Sequence, residues 1–264
     1  MRRICTLGVC VLAVVALGAV AAGSAAAASP EYLTCAKVKN SGKYSNKTCS
    51  EANAKGEGKY ERVPLTKAAK FKGTVGAVNI YLYEPKNTED PVKGHFGCKS
   101  GKYSGSISNS REGALTITYS ECESKGKLIG PCNSPHGKSG VVTTSTLASK
   151  LVWLNEAETE PGIEFKAKSG GIAAVECSSI ETAELVGTML AKIAPTKETS
   201  KDQTITMNAS STTGEPELPG WWEGGMPLSE SLKSNLKGSV ENYEGVPTSQ
   251  SSVFSQKGPD VLIS

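Results

Sequence analysis

The chain has 264 residues, of which 38% are hydrophobic, 6% aromatic and 21% charged, and its formal net charge is +3. With so few aromatics, a core must be built from Val, Ile, Leu and Ala, which is thin for this length. Only two histidines occur, His95 and His136, and aspartate is scarce, so chemistry that depends on a His–Asp pair starts from a very small set.

The first segment reads as an export signal. Met1-Arg2-Arg3 is basic, Ile4 to Val20 is almost free of polar side chains, and Ala21 to Ala28 is built from small residues. A basic start, an apolar run and small residues before a processing site make the pattern of a secretory signal peptide. Residues 1–28 are therefore assigned as a leader, cut after Ala28. The alternative is an uncleaved membrane anchor, since about 20 apolar residues can span a bilayer. The weakly hydrophobic alanine run and the following Ser29-Pro30 favour cleavage, after which no stable membrane span is expected. Losing Arg2 and Arg3 takes the formal charge to +1.

Maturation also removes Cys5 and Cys10 and leaves six cysteines: Cys35, Cys49, Cys98, Cys122, Cys132 and Cys177. An even number in an oxidising compartment reads as three disulfides. Spacing alone does not select among the roughly 15 pairings six cysteines allow. Sequence proximity favours Cys35–Cys49, Cys122–Cys132 and Cys98–Cys177.

Residues 29–70 form a polar, basic, Cys-bridged N-terminal segment. From 29 to 72 there are ten basic residues against four acidic ones, including Lys37, Lys39, Lys43, Lys47, Lys55 and Lys59. Such a charge excess suits contact with anionic surfaces. The plain alternative is a solvated segment.

Residues 71–264 carry the main domain, where the dominant pattern is alternation of period two. Val78 and Ile80 alternate with Asn79 and Tyr81. Leu115, Ile117 and Tyr119 alternate with Thr116 and Thr118, and Ile163, Phe165 and Ala167 with Glu164, Lys166 and Lys168. Ile205 and Met207 complete the set. These are half-buried strands. Leu147 to Leu154 and Glu184 to Ala194 are apolar on both faces and are expected to lie centrally. No stretch carries a helical stripe beyond a turn or two at Lys67–Phe71 and Ser229–Leu236. The fold class is all-β, a disulfide-stapled sandwich or barrel of about nine to twelve strands. Residues 195–228 gather prolines, glycines and Trp221-Trp222 into a long loop, and loops of that length are often functional.

The succession Cys35…Tyr44…Cys49…Lys59-Tyr60-Glu61, then Cys98, Cys122, Cys132, Gly140-Val141-Val142-Thr143 and Leu147, resembles a group of secreted β-rich proteins of actinobacteria. The resemblance implies export and β structure. It brings no activity, site or ligand.

Candidate chemistry is sparse. Gly137-Lys138-Ser139 fails as a phosphate loop, because the glycine required five positions earlier is Cys132. A hydrolytic triad would have to draw on Ser139, His136 and Asp202, with no nucleophile-elbow motif to support it. Cys122, Cys132, His136 and Cys177 offer zinc-ligand types, but in a spacing that matches no compact knuckle. Glu121, Glu123, Glu156, Glu158, Glu160 and Glu176 supply carboxylates without singling out a glycosidase pair, and Glu156 to Glu160 reads as a solvated turn. No cofactor or metal site is indicated, and no nucleic-acid motif is present. Trp221 and Trp222 are the candidate ligand-binding residues, since paired indoles can stack on sugars; the alternative is that they plug the end of a thin core.

The sequence thus points to a secreted or cell-wall-associated non-catalytic β protein. It would bind or structure something at the cell surface, with anionic wall polymers or glycans as partners. The competing readings are a secreted hydrolase using glutamates and His136, and a stapled inhibitor-like module presenting residues 195–228.

Overall fold

A computed structural model describes residues 28–83, 92–125, 130–177, 181–196, 198–218, 220–229, 231–238 and 242–264. The expected leader, apart from Ala28, lies outside the described residues. Among those residues there is no helix, and 64% are in strands.

Two strands precede the main body, β1 (Tyr32–Gly42) and β2 (Gly58–Pro64). The rest of the chain winds back and forth as eight lines of strand. The first line is β3 (Ala69–Val75) continued by β4 (Val78–Tyr83); the second is β5 (Val92–Ile107) and the third β6 (Glu112–Lys125). The fourth comprises β7 (Gly130–Asn133), β8 (Val141–Thr143) and β9 (Leu147–Trp153). The fifth holds β10 (Pro161–Ala167) and β11 (Ala173–Cys177), the sixth β12 (Glu181–Val186) and β13 (Thr188–Ala194). The seventh starts with β14 (Ser200–Met207). It is interrupted by an excursion holding β15 (Trp221–Glu223) and β16 (Met226–Leu228), and resumes as β17 (Lys233–Gly238). The eighth is β18 (Asn242–Ile263).

Every line pairs antiparallel with the next, and β18 returns to pair with β3 and β4. The sheet therefore closes into an eight-stranded up-and-down barrel, which removes the free edges an open sheet would expose. The choice between sandwich and barrel is settled by that return. Strand segments outnumber the nine to twelve expected because several lines are broken by irregularities. At Gly76-Ala77, for instance, the buried set shifts from Phe71 and Val75 to Val78 and Ile80. At the same level β6 carries Glu121 at φ 54, the local distortion typical of a bulge. The turns expected at Lys67–Phe71 and Ser229–Leu236 give way to strand, at Ala69 and Lys233.

One continuous core fills the barrel. Inward residues include Phe71, Tyr103, Leu115, Ile117, Leu147, Phe165, Ile193, Ile205 and Phe254, and the rings of Phe71 and Phe254 meet Tyr103 edge-on. A barrel of this strand number is just wide enough for side chains to fill it. Glycine is required where walls approach: a Cβ on Gly105 would collide with the Ala114 carbonyl and lie 2.6 Å from the Phe71 ring.

The three disulfides are Cys35–Cys49, Cys98–Cys122 and Cys132–Cys177. The first is as expected from sequence. The other two replace the expected Cys122–Cys132 and Cys98–Cys177. The reason is register: Cys98 lies directly opposite Cys122 across β5 and β6, and Cys132 directly opposite Cys177 across β7 and β11. Facing positions on neighbouring strands bring Cα atoms close enough to bridge, here to 3.9 and 4.2 Å.

The N-terminal segment is held by more than its disulfide. Tyr32 and Leu33 of β1 pair with Ile263 and Leu262 of β18, and Tyr32 and Leu65 enter the barrel core. Arg62 donates to the Cys49 carbonyl at 2.9 Å and lies 4.5 Å over the Tyr44 ring. A guanidinium so placed clamps the Cys35–Cys49 loop onto β2.

Candidate binding face

The alternation that buries one side of each strand also decides what the other side presents. On β14, β18, β3, β5 and β6 the outward positions are almost wholly hydroxyls and lysines. In register across these strands run Asp202, Lys257, Lys72, Ser104 and Thr116. One step along runs a second row in which Thr204 is followed, beyond the intervening β18 position, by Thr74, Lys102, Thr118 and Thr143. Thr143 donates to the Thr118 hydroxyl at 3.4 Å. Rows stand about 6.8 Å apart and strands about 4.8 Å apart, the ordinary spacings of a pleated sheet.

These rows line a groove of about 860 Å³ on the outer wall. Gly73, Tyr103 and Gln203 contribute to its lining, as do Lys72, Lys102 and Lys257. Lys72 and Lys257 are directly opposite one another. Like charges at facing positions destabilise a sheet. None of the three lysines has an ion-pair partner within 4.0 Å among the described residues. The one carboxylate of the groove, Asp202, faces Lys257 in register from β14. Lys102 faces Thr74 on one side and Thr118 on the other. A face with three lysines, one aspartate and a bed of hydroxyl donors is arranged to receive negative charge.

The residues singled out in the sequence fall elsewhere. Lys37, Lys39, Lys43, Lys47, Lys55 and Lys59 are all exposed, the first two on β1, the next three in the connection to β2 and Lys59 on β2. Trp221 is 6% exposed and packs with Val152, Leu154, Leu190 and Leu218 against the outside of the barrel. Trp222 is half-buried and pairs through its backbone with Trp153. The two indoles therefore do not form one exposed platform. Their hairpin turns at Gly224 and Gly225, with φ of 60° and 77°, a conformation glycine adopts without strain. It is fastened by Lys150 to Glu223 at 2.7 Å and by the Glu158 carboxylate, which accepts the Gly225 N–H at 2.8 Å. Glu158 is thus buried under the hairpin, whereas Glu156, Ala157, Thr159 and Glu160 are exposed as the expected solvated turn requires. Asn155 organises that turn by accepting from the Thr159 and Glu160 N–H groups.

The residues of the candidate triad, Ser139, His136 and Asp202, are not brought together, whereas Glu123 and Glu176 flank β7 in register with Pro131 and Asn133. His136 is exposed in the turn between β7 and β8 at φ 58, while Asp202 is on β14, with β10 and β13 between them the shorter way round the barrel. Glu121 is exposed and paired with Lys99 at 2.8 Å. His95 stacks on Tyr81 at 4.7 Å, and its Nε2 is 3.0 Å from Asn79 Oδ1. Cys122, Cys132 and Cys177 are consumed in disulfides, and among the described residues no group of three His, Cys, Asp or Glu side chains is placed to hold a metal ion.

The groove lysines escaped the sequence reading because they are distant in the chain. Lys72 was one of ten basic residues near the N-terminus, and Lys102 and Lys257 stood in no cluster. The available signal was subtler: outward positions such as Lys72 and Thr74, Lys102 and Ser104, Thr116 and Thr118 repeat the same two residue types on strand after strand. No helix among the described residues is long and apolar enough to cross a membrane. No protein-family model, curated protein or solved structure matches the chain.

Proposed function

We propose that this protein is a secreted, non-catalytic binding protein of the cell surface, and that it takes anionic polymers into the outer-wall groove. The observation that carries this reading is the facing pair Lys72 and Lys257, flanked by Lys102. Two unneutralised ammonium groups at facing strand positions repel one another, and an anion between them turns that repulsion into attraction. The three disulfides support export, since such bonds persist in oxidising compartments. The leader-like N-terminus supports it as well.

A neutral glycan is the weaker fit. Sugar faces are recognised largely by aromatic stacking, and the groove lining includes no tryptophan or phenylalanine, while Tyr103 is buried in the barrel.

The test is retention of the mature protein on immobilised polygalacturonate, on immobilised polyphosphate and on neutral dextran. Retention on the polyanions at about 50 mM salt, with elution as the Debye length shrinks below about 8 Å, is the expected result. The triple variant Lys72→Gln/Lys102→Gln/Lys257→Gln should flow through while melting like the parent. Equal retention on dextran, or retention that ignores salt, refutes the proposal.

A further inference from the structure

The geometry points to a phosphoryl-group subsite where Lys72, Lys257 and Lys102 converge, a refinement that rests on the groove being the binding face. Lys72 faces Lys257 on β18, and it faces Ser104 on β5, which places Lys102 one diagonal step away. Opposite and diagonal neighbours on a sheet lie within about 8 Å, inside the reach of two extended lysine stems. Lys72 is thus the middle of the three, opposite Lys257 and diagonal to Lys102, and lysine stems from three adjacent strands can reach toward one spot above it.

Charge and shape both select the ligand class. Three lysines and Asp202 leave a local excess of two positive charges. A phosphate monoester carries about −1.5 to −2 at neutral pH and offers three terminal oxygens pointing in different directions. A carboxylate carries one charge and two oxygens in a plane, so it answers at most two of the three ammonium groups. The Thr74 and Ser104 hydroxyls, adjoining in register, supply further donors. Lysines give a point-charge contact without a fixed fork, so the subsite reads phosphoryl charge rather than the identity of the group that bears it.

Titration calorimetry of the mature protein at low salt tests this with three probes: phenyl phosphate, phthalate as a dicarboxylate of similar charge, and polyphosphate. Phenyl phosphate should bind at least about fivefold more tightly than phthalate. Lys72→Gln/Lys257→Gln should weaken it about tenfold, the loss expected for two exposed charge contacts. Lys37→Gln/Lys39→Gln, on the N-terminal strand, should change it less than about twofold by the same reasoning. Binding of polyphosphate per phosphate no tighter than the monoester supports selection of a terminal phosphate; tighter binding per internal phosphate, each with one charge and two free oxygens, overturns it. If phthalate matches phenyl phosphate, the phosphoryl assignment fails while the anionic face stands. If no probe binds, both fail.

Discussion

Cys122 on β6 faces Cys98 on β5 with Cα atoms 3.9 Å apart, and on its other side its N–H donates to the Gly140 carbonyl at 2.9 Å, one residue past the pairing of Glu123 with Pro131. Cys132 on β7 faces Cys177 on β11. The two bridges therefore join four successive lines of the barrel wall in two pairs.

Because Glu123 and Pro131 are paired, Cys122 and Cys132 each sit one residue from a β6–β7 register pair, which predicts a specific rearrangement. In Cys98→Ser the released Cys122 thiolate can attack Cys132, forming Cys122–Cys132 and freeing Cys177 by thiol–disulfide exchange. Peptide mapping of the variant should show a Cys122–Cys132 peptide beside Cys132–Cys177, with no Cys35 or Cys49 in either. Recovery of Cys132–Cys177 alone would show that Cys122 does not reach this bridge. Removing Cys98 and Cys122 together should cost about 3 kcal/mol in urea unfolding, from the loop closed by a 24-residue separation.

The two tryptophans should behave differently. Trp221 fills a satellite cluster with Val152 and Leu154, whereas Trp222 is half-exposed at the hairpin. Trp221→Ala is expected to cost about 3 kcal/mol or more, and Trp222→Ala less than about 1 kcal/mol. Glu158→Ala should loosen the hairpin without unfolding the barrel, seen as faster amide exchange at Gly225. A larger loss of stability for Trp222 than for Trp221 would contradict this packing.

Alkaline pH should unfold the protein through its buried phenols. Burial raises the Tyr32 and Tyr119 hydroxyls well above the ordinary tyrosine range; Tyr103 adds to the effect at Tyr32, and a hydrogen bond from Gln250 partly opposes it at Tyr119. In the unfolded chain both ionise near about pH 10. Above that pH the unfolded state sheds protons that the folded state keeps. Stability therefore falls as pH rises, by about 1.4 kcal/mol per pH unit for each such tyrosine. Between pH 7 and 9 they contribute no slope. Urea midpoints measured at intervals from pH 7 to 11, with phenolate absorbance followed in parallel, check this; phenolate signal from these residues in the folded protein near pH 10 would contradict it.

Strand identity was legible in the chain because period-two alternation is a local consequence of the pleat. Ile117, Phe165, Ile205 and Met207 all face inward as their neighbours implied. Leu147–Leu154 looked central because both its faces are covered, but the second cover is Trp221 rather than another sheet. Alternation says that a face is buried and not by what. Cysteine pairing failed for a related reason: proximity in sequence predicts loops, whereas facing positions depend on register between whole strands.

Local patterning and composition thus determined, unaided, that the chain beyond residue 28 is all-β and carries three bridges. Closure into a barrel, the facing of Cys98 with Cys122 and of Cys132 with Cys177, and the meeting of Lys72, Lys102 and Lys257 were decided only when distant segments were laid side by side. Side-chain orientation along a strand follows from adjacent residues, but which charges become neighbours across strands follows from register. Register is set by the packing of the whole core at once.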